Sequence, residues 1–424
     1  MKEFDRIIGY DEIKRELIKI CDTMRNPDKY EKIGVRTPKG LLLHGEPGVG
    51  KSLMCECLIN ASGREAFTCR RDEDQSSFVS KIRETFKQAK ENAPSIVLLD
   101  DMDKFANDDD KHKDSAEYVA VQACIDSVKK DEVFVLATCN GLDKLPESLL
   151  RVGRFDQTIE VSNPFGEDAE KIIAHYLKNK NCAEDVNPKI VARILNGDSC
   201  AALETVVNEA GIYAAFANKE KIEMQDVVAA ALKIIYKVPE SMKKLNHEVL
   251  RSTAIHEAGH ALVTEILEPG SVSIVSIRQN TGDVGGITAY ARDNDLYLCS
   301  YKMMQDRLMS ALAGRAATEI CLGVVDTGAR SDLDTAFLLG RRFITHFASN
   351  GFYFFLDHYG SQEKDDEAMK RVADLIQNCY LKVKEIVAKN REFLDKLVDA
   401  LLEKETLLTD DIQAIKQTCT IVNC

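Results

Sequence analysis

The sequence lacks any apolar run approaching the roughly 20 residues needed to cross a bilayer as a helix. Its longest candidates, "IVLL" at 96–99 and "VFVLA" at 133–137, have the length of buried strands. No signal peptide is recognisable, because Met1 is followed at once by charged residues. These absences lead to the expectation of a cytoplasmic protein with no intrinsic membrane span, associated with membrane only through a partner or a missing segment. Positive charge is also in short supply. The chain has 56 basic and 69 acidic side chains, a net charge of -13, which argues against nucleic acid or an anionic membrane as partner. No C-x-x-C pair occurs among the 13 cysteines, and several, such as Cys124 and Cys139, sit in apolar runs. They read as reduced thiols rather than a disulfide framework. Proline is missing beyond Pro269. Proline disrupts helix interiors, so the last third of the chain is expected to be helical.

What is present divides into three stretches, as a length of 424 residues allows. Between 40 and 160, short apolar runs ("GLLLHG", "SIVLLD", "VFVLATC") alternate with helical patterns. That alternation predicts a parallel sheet with helices on both faces. Residues 165–237 show apolar spacings of three and four, which predict a small helical subdomain. Pro239 and the polar "ESMKKLNHE" mark a boundary. From about 248 a third unit begins with a helix, then "SVSIVSIRQNTGDVGGITAYA", which reads as two strands, then almost continuous helix. The acidic "NDDDKHKD" at 107–114 is expected to be a solvated loop. The predicted domains are 1–163, 164–240 and 241–424.

"GEPGVGKS" at 45–52 fits G-x-x-x-x-G-K-[ST] between a predicted strand and a predicted helix. The glycines let the backbone N–H groups of Gly45, Glu46, Pro47's neighbours, Gly48, Val49 and Gly50 curl around phosphates. The positive end of the following helix points at the same place. Lys51 is placed to reach the β- and γ-phosphates of ATP, and the Ser52 hydroxyl to hold Mg²⁺. Such a loop needs an acidic residue on a neighbouring strand, and "SIVLLDD" supplies Asp100 and Asp101. Asn140 ends the next strand and is placed to orient the attacking water. Arg151 and Arg154, in "LLRVGRFD", have the character of arginine fingers reaching a neighbouring subunit's nucleotide.

"STAIHEAGHALVTEIL" at 252–267 carries H-E-x-x-H. Residues four apart share a helix face, so His256 and His260 can aim at one Zn²⁺. Glu257 lies about 100° around the axis, a direction that suits a base acting on water rather than a ligand. Gly259 inside a helix costs about 1 kcal/mol relative to Ala, which predicts close approach of another segment. A catalytic zinc takes three protein ligands. Candidates for the third are Glu319, Asp326, Asp332, Asp334 and His346, and spacing does not choose among them.

Taken in order, these motifs resemble the FtsH family of AAA+ zinc metalloproteases. The resemblance runs from "IIGYDEIKREL" to "LLEKETLLTDDIQAI" and includes "TCNGLDKLPESLLRVGRFD" and "TGARSDLDTA". It implies an α/β AAA+ P-loop ATPase module with a helical lid, followed by a mostly α-helical zinc metalloprotease domain, assembled as a homo-hexamer acting on protein or peptide substrates. It implies Asp332 as the third zinc ligand, with Glu319 as the alternative, Asn140 as the sensor, and Arg151 and Arg154 as the trans-acting arginines. It also implies that "VGGITAYA" faces substrate. Three features depart from the family pattern. Asp101 stands where the family usually has Glu; its carboxylate is one methylene shorter, so slow ATP hydrolysis is expected unless a shifted backbone restores reach. The aromatic pore loop is shortened to "RRDEDQSSFVSKIRETF", with Phe78 and Val79 as its remnant or as core residues of the next helix. The family is normally anchored by N-terminal membrane spans and this sequence carries none, so the expectation is either a naturally soluble relative or a fragment. The expected activity is ATP-dependent proteolysis. A metallopeptidase with a weak ATPase and a non-proteolytic remodelling ATPase are the alternatives.

Overall fold

A computed structural model describes residues 2–71, 78–106, 115–151, 153–238, 246–278, 285–291, 300–324, 327–349, 351–352 and 362–423. The acidic stretch 107–114, residues 72–77 of the shortened loop, the boundary at 239–245, the connection at 279–284 and Asp326 lie outside the described residues. The chain divides into two compact units, Met1–Cys182 with Gly197–Asn208, and Ala183–Asn196 with Glu209–Cys424. The predicted helical stretch 164–240 contributes to both.

The first unit is built on a five-stranded parallel sheet in the order β2-β3-β4-β1-β5. Its strands are β1 (Gly40–His44), β2 (Glu65–Cys69), β3 (Ser95–Leu99), β4 (Val133–Cys139) and β5 (Gln157–Glu160). The three inner strands are the apolar runs visible in the sequence, and they are almost wholly buried, as strands covered on both faces must be. The edge strands "EAFTC" and "QTIE" are half-exposed. Around the sheet lie α1 (Asp11–Arg25), α2 (Pro27–Glu31), α3 (Lys51–Ser62), α4 (Phe78–Glu91), α5 (Ser115–Ser127) and α6 (Gly166–Leu177). Helix α4 buries Phe78, Ile82, Phe86 and Ala89, a stripe of helical spacing. Phe78 is 3% exposed and meets Phe105 edge-on at 5.0 Å between ring centroids. It is therefore a core residue, not a pore-facing aromatic. Val79 packs against the same core.

Helix α8 (Cys200–Phe216) runs across the division, while α7 (Pro188–Ile194) and α9 (Met224–Ile234) belong to the second unit. The rest of that unit comprises α10 (His247–Leu267), β6 (Val272–Ser276), β7 (Ile287–Tyr290), α11 (Tyr301–Leu322), α12 (Arg330–Arg341), α13 (Gln362–Lys389), α14 (Arg391–Lys404), β8 (Thr406–Leu408) and α15 (Thr409–Gln417). The strands form a small antiparallel sheet in the order β7-β6-β8, which leaves β7 on an edge. Helix α10 is buried on most sides from Ala254 to Glu265. Its Gly259 is explained by α11. A Cβ at 259 would lie 2.5 Å from the Ala317 Cβ and 2.7 Å from the Ala313 carbonyl oxygen. The two helices approach more closely there than any side chain permits. Among the described residues, no helix is long and apolar enough to cross a membrane.

Candidate active site

One turn of α10 places His256 and His260 with their Nε2 atoms 3.1 Å apart. The first turn of α12 brings Asp332 Oδ2 to 3.0 Å from the first and 3.2 Å from the second. Tetrahedral zinc with bonds of about 2.0–2.1 Å holds its ligand atoms ~3.3 Å apart, so this triangle fits three ligands of one such ion. Helix α11 sets the rings. The Ser310 carbonyl can only accept, so His260 Nδ1, at 2.8 Å, carries the proton and turns Nε2 toward the triangle. A Cβ at Gly314 would lie 2.5 Å from both Nε2 atoms, so this residue can only be glycine while the rings stay where they are.

The imidazoles and the carboxylate of the triangle shift one another's charge. Burial opposes charge on His260, but the Asp332 carboxylate outweighs it and lifts the imidazole to about 9. Burial likewise opposes charge on Asp332, and hydrogen bonds from both imidazoles hold its carboxyl well below the usual range. Glu257 lies beside the triangle and is 5% exposed. Burial raises its pKa, while the nearby imidazoles act in the opposite direction. Its Oε2 accepts a hydrogen bond from Thr288 Oγ1 of β7 at 2.7 Å. A Cβ at Gly286 would lie 2.6 Å from Glu257 Oε1, so the approach to β7 also requires glycine. These groups line a cleft of about 520 Å³, walled by β7 and by α11 and α12.

The other ligand candidates lie elsewhere. Glu319 is on α11 but about 140° around the axis from Gly314 at 3.6 residues per turn. It accepts from Lys384 Nζ at 2.8 Å and from the Tyr380 hydroxyl, both on α13. Asp334 and His346 are exposed and outside the cluster.

In the first unit, the phosphate loop joins β1 to α3 at the carboxyl end of the sheet. Gly45 has no room for a side chain, since a Cβ would lie 2.0 Å from the Val161 carbonyl oxygen. Gly50 has space around it but a φ of +100°, which favours glycine. Glu46, Pro47 and Gly48 form the exposed tip, Val49 is buried beneath it, and Ser52 is exposed on the first turn of α3. Lys51 Nζ is held by the carbonyls of Gly45 at 2.6 Å and Glu46 at 2.9 Å and by Asn140 Oδ1 at 3.1 Å. Burial lowers its ammonium pKa. Asn140 is in turn oriented by Asp103, which accepts from its backbone N–H and its side-chain amide, each at 3.2 Å.

Asp100 and Asp101 follow β3 as expected. Thr138 bridges them, donating to Asp100 Oδ1 and accepting from the Asp101 N–H, both at 2.8 Å. Asp101 has a φ of +53°. Its carboxylate pairs with Lys104 at 2.7 Å and lies 3.7 Å from Arg70, which also neighbours Asp100. Arg151 is exposed. Arg154 forks onto Asp126, at 3.2 and 2.8 Å, within its own chain. Sequence reasoning missed Asp103, Thr138, Lys104, Thr288, Ser310 and Gly314. Lys104 pairs with Asp101 only three residues away, a spacing too common to single out. The others act through a partner distant along the chain or through close backbone approach, and neither leaves a fixed local spacing.

A nucleotide loop at the carboxyl end of a parallel sheet and an H-E-x-x-H helix completed by a distant aspartate define a P-loop ATPase joined to a zinc peptidase. Residues 41–163 match the ATPase family associated with various cellular activities (AAA), and residues 243–415 match peptidase family M41. The chain is 32% identical to the ATP-dependent zinc metalloprotease FtsH of Thermotoga maritima, over 97% of this chain and 72% of that protein. It is 32% identical to the FtsH of Thermus thermophilus, over 97% and 70%, and 29% identical to that of Bacillus subtilis, over 97% and 69%. The chain belongs to the FtsH family of ATP-dependent zinc metalloproteases.

Proposed function

We propose that this chain is an ATP-dependent zinc metalloendopeptidase that unfolds and degrades protein, with His256, His260 and Asp332 as ligands and Glu257 as the base. The observation that carries this reading is the triangle of Nε2, Nε2 and Oδ2 atoms beside a buried carboxylate. Zinc bound there supplies Lewis acidity toward the scissile carbonyl and the attacking water. Glu257 takes the proton from that water and passes it to the leaving amine. Thr288 occupies Oε2, which leaves Oε1 as the proton-carrying atom. Among the described residues β7 is an edge strand along the cleft, to which an extended peptide can add through main-chain bonds.

In the ATPase, Gly45 to Gly50 cradle phosphate, Lys51 contacts its oxygens, and Ser52 with Asp100 holds Mg²⁺. Asn140 orients water. Arg151 and Arg154 serve a neighbouring subunit's nucleotide in a homo-hexamer, Arg154 after leaving Asp126. The working domains are 1–163, a lid at 164–240 and a protease at 241–424. The test is incubation of a loosely folded protein with the chain, with and without ATP and chelator. Degradation is expected only with ATP and metal together; equal cleavage without ATP would remove the coupling.

A second reading, in which nucleotide turnover is weak, draws on one observation. The Asp101 carboxylate is short and is paired with Lys104. Asp101→Glu is expected to raise ATP turnover about tenfold, a fraction of the roughly 10²–10⁴-fold that a well-placed general base contributes. An unchanged rate would discard this reading.

A further inference from the structure

The metal cleft contains a guanidinium that the proposed chemistry does not use. Arg307, on α11, lines the cleft together with the zinc-binding triangle. It sits three residues before Ser310, which orients His260, and seven before Gly314, which touches both rings. All three therefore share one face of the helix. Arg307 is half-buried, and its Nε is fully shielded yet has no hydrogen-bond partner. No described residue forms an ion pair with it. The acids nearby are committed. Asp306 pairs with Lys302 at 2.7 Å, Asp332 receives both imidazoles, and Glu257 accepts from Thr288.

A shielded guanidinium donor without an acceptor is unfavourable, and native structures rarely keep one without a reason. Arginine's fixed fork of donors matches a carboxylate in particular. The cleft brings no other lysine or arginine among the described residues to its wall, so apart from the metal site Arg307 is the cationic group that an incoming carboxylate meets. Ala311, Thr335 and Leu339 line the same cleft and contribute no competing charge.

We infer that Arg307 is a specificity-determining residue that binds a carboxylate of the substrate close to the scissile bond, an inference that rests on the proteolytic reading above. The carboxylate can come from an Asp or Glu side chain or from a peptide C-terminus, and the test separates these sources. Quenched peptides blocked at both ends carry Glu or Gln, scanned over three positions on each side of the cut. A second pair differs only in a free or amidated C-terminus. Cleavage by the full chain is expected to favour the carboxylate member of at least one pair by about tenfold in kcat/KM, the size of one charge-assisted hydrogen bond. In Arg307→Met that ratio is expected to fall toward one. Arg307→Lys should restore part of it, and Arg307→Glu should turn the preference toward a Lys-bearing peptide, which a merely structural role would not do. Ratios near one in the unmodified chain, as expected if Arg307 meets only peptide carbonyls, would overturn the inference. Binding of the same peptides to the zinc-loaded Glu257→Gln chain, read by fluorescence anisotropy, decides the matter independently of turnover. Absence of all cleavage would then count against the proteolytic reading, while equal binding of Glu and Gln peptides would count against Arg307.

Discussion

Gly314 shows how much a missing side chain can decide. Its backbone passes so near both imidazoles that a single methyl would sit 2.5 Å from their Nε2 atoms. Gly314→Ala is expected to push the rings off the triangle and lower zinc affinity at least tenfold, in line with losses from changes behind metal ligands. Competition with a chromogenic chelator measures it. The pH behaviour of the same site follows from charge. Without metal, His260 titrates at about 9 rather than its ordinary 6.5 because Asp332 faces it. A raised imidazole pKa stabilises the fold fully below its unfolded value, and that contribution is lost as pH rises through the folded value. The chelated protein should therefore lose thermal stability between about pH 6.5 and 9. Zinc binding at neutral pH should release a proton, because the Nε2 ligand must be unprotonated. Calorimetry in buffers of different ionisation enthalpy reads that proton directly.

At the scale of elements, helix α10 is legible as far as its own residues go. The spacing of His256, Glu257 and His260 predicts both ring placement and the separate direction of the glutamate. Gly259 predicts a close neighbour. It does not say which, and α11 supplies it. Gly259→Ala is expected to destabilise the second unit by about 1–3 kcal/mol, because the added methyl meets the Ala313 carbonyl rather than a flexible side chain. Denaturant unfolding with zinc saturating measures it. The inner strands β1, β3 and β4 are visible in the sequence because strands buried on both faces must be continuously apolar. β2, β5 and β8 are not, because short edge strands alternate and carry polar residues. Phe78 is ambiguous in the sequence for a related reason. An aromatic beside a loop is equally compatible with a pore and with the first turn of an amphipathic helix, and only packing against Phe105 separates the two.

The whole molecule joins two chemistries whose motifs are local but whose completion is not. The phosphate loop is legible because phosphate binding needs a fixed glycine spacing. Its supporting residues, Thr138 and Asp103, come from neighbouring strand ends and leave no such trace. The proposed third zinc ligand, Asp332, lies 72 residues from His260, and only the folded arrangement of α10, α11 and α12 brings it, rather than Glu319 or Asp334, to the two imidazoles. The measurement that tests this arrangement most directly is metal content per chain in Asp332→Ala, Glu319→Gln and Asp334→Ala. The account predicts one zinc per chain in the unmodified protein and in the latter two variants, with loss of zinc in the first. Zinc retained without the Asp332 carboxylate, or none bound by the unmodified protein, would contradict it.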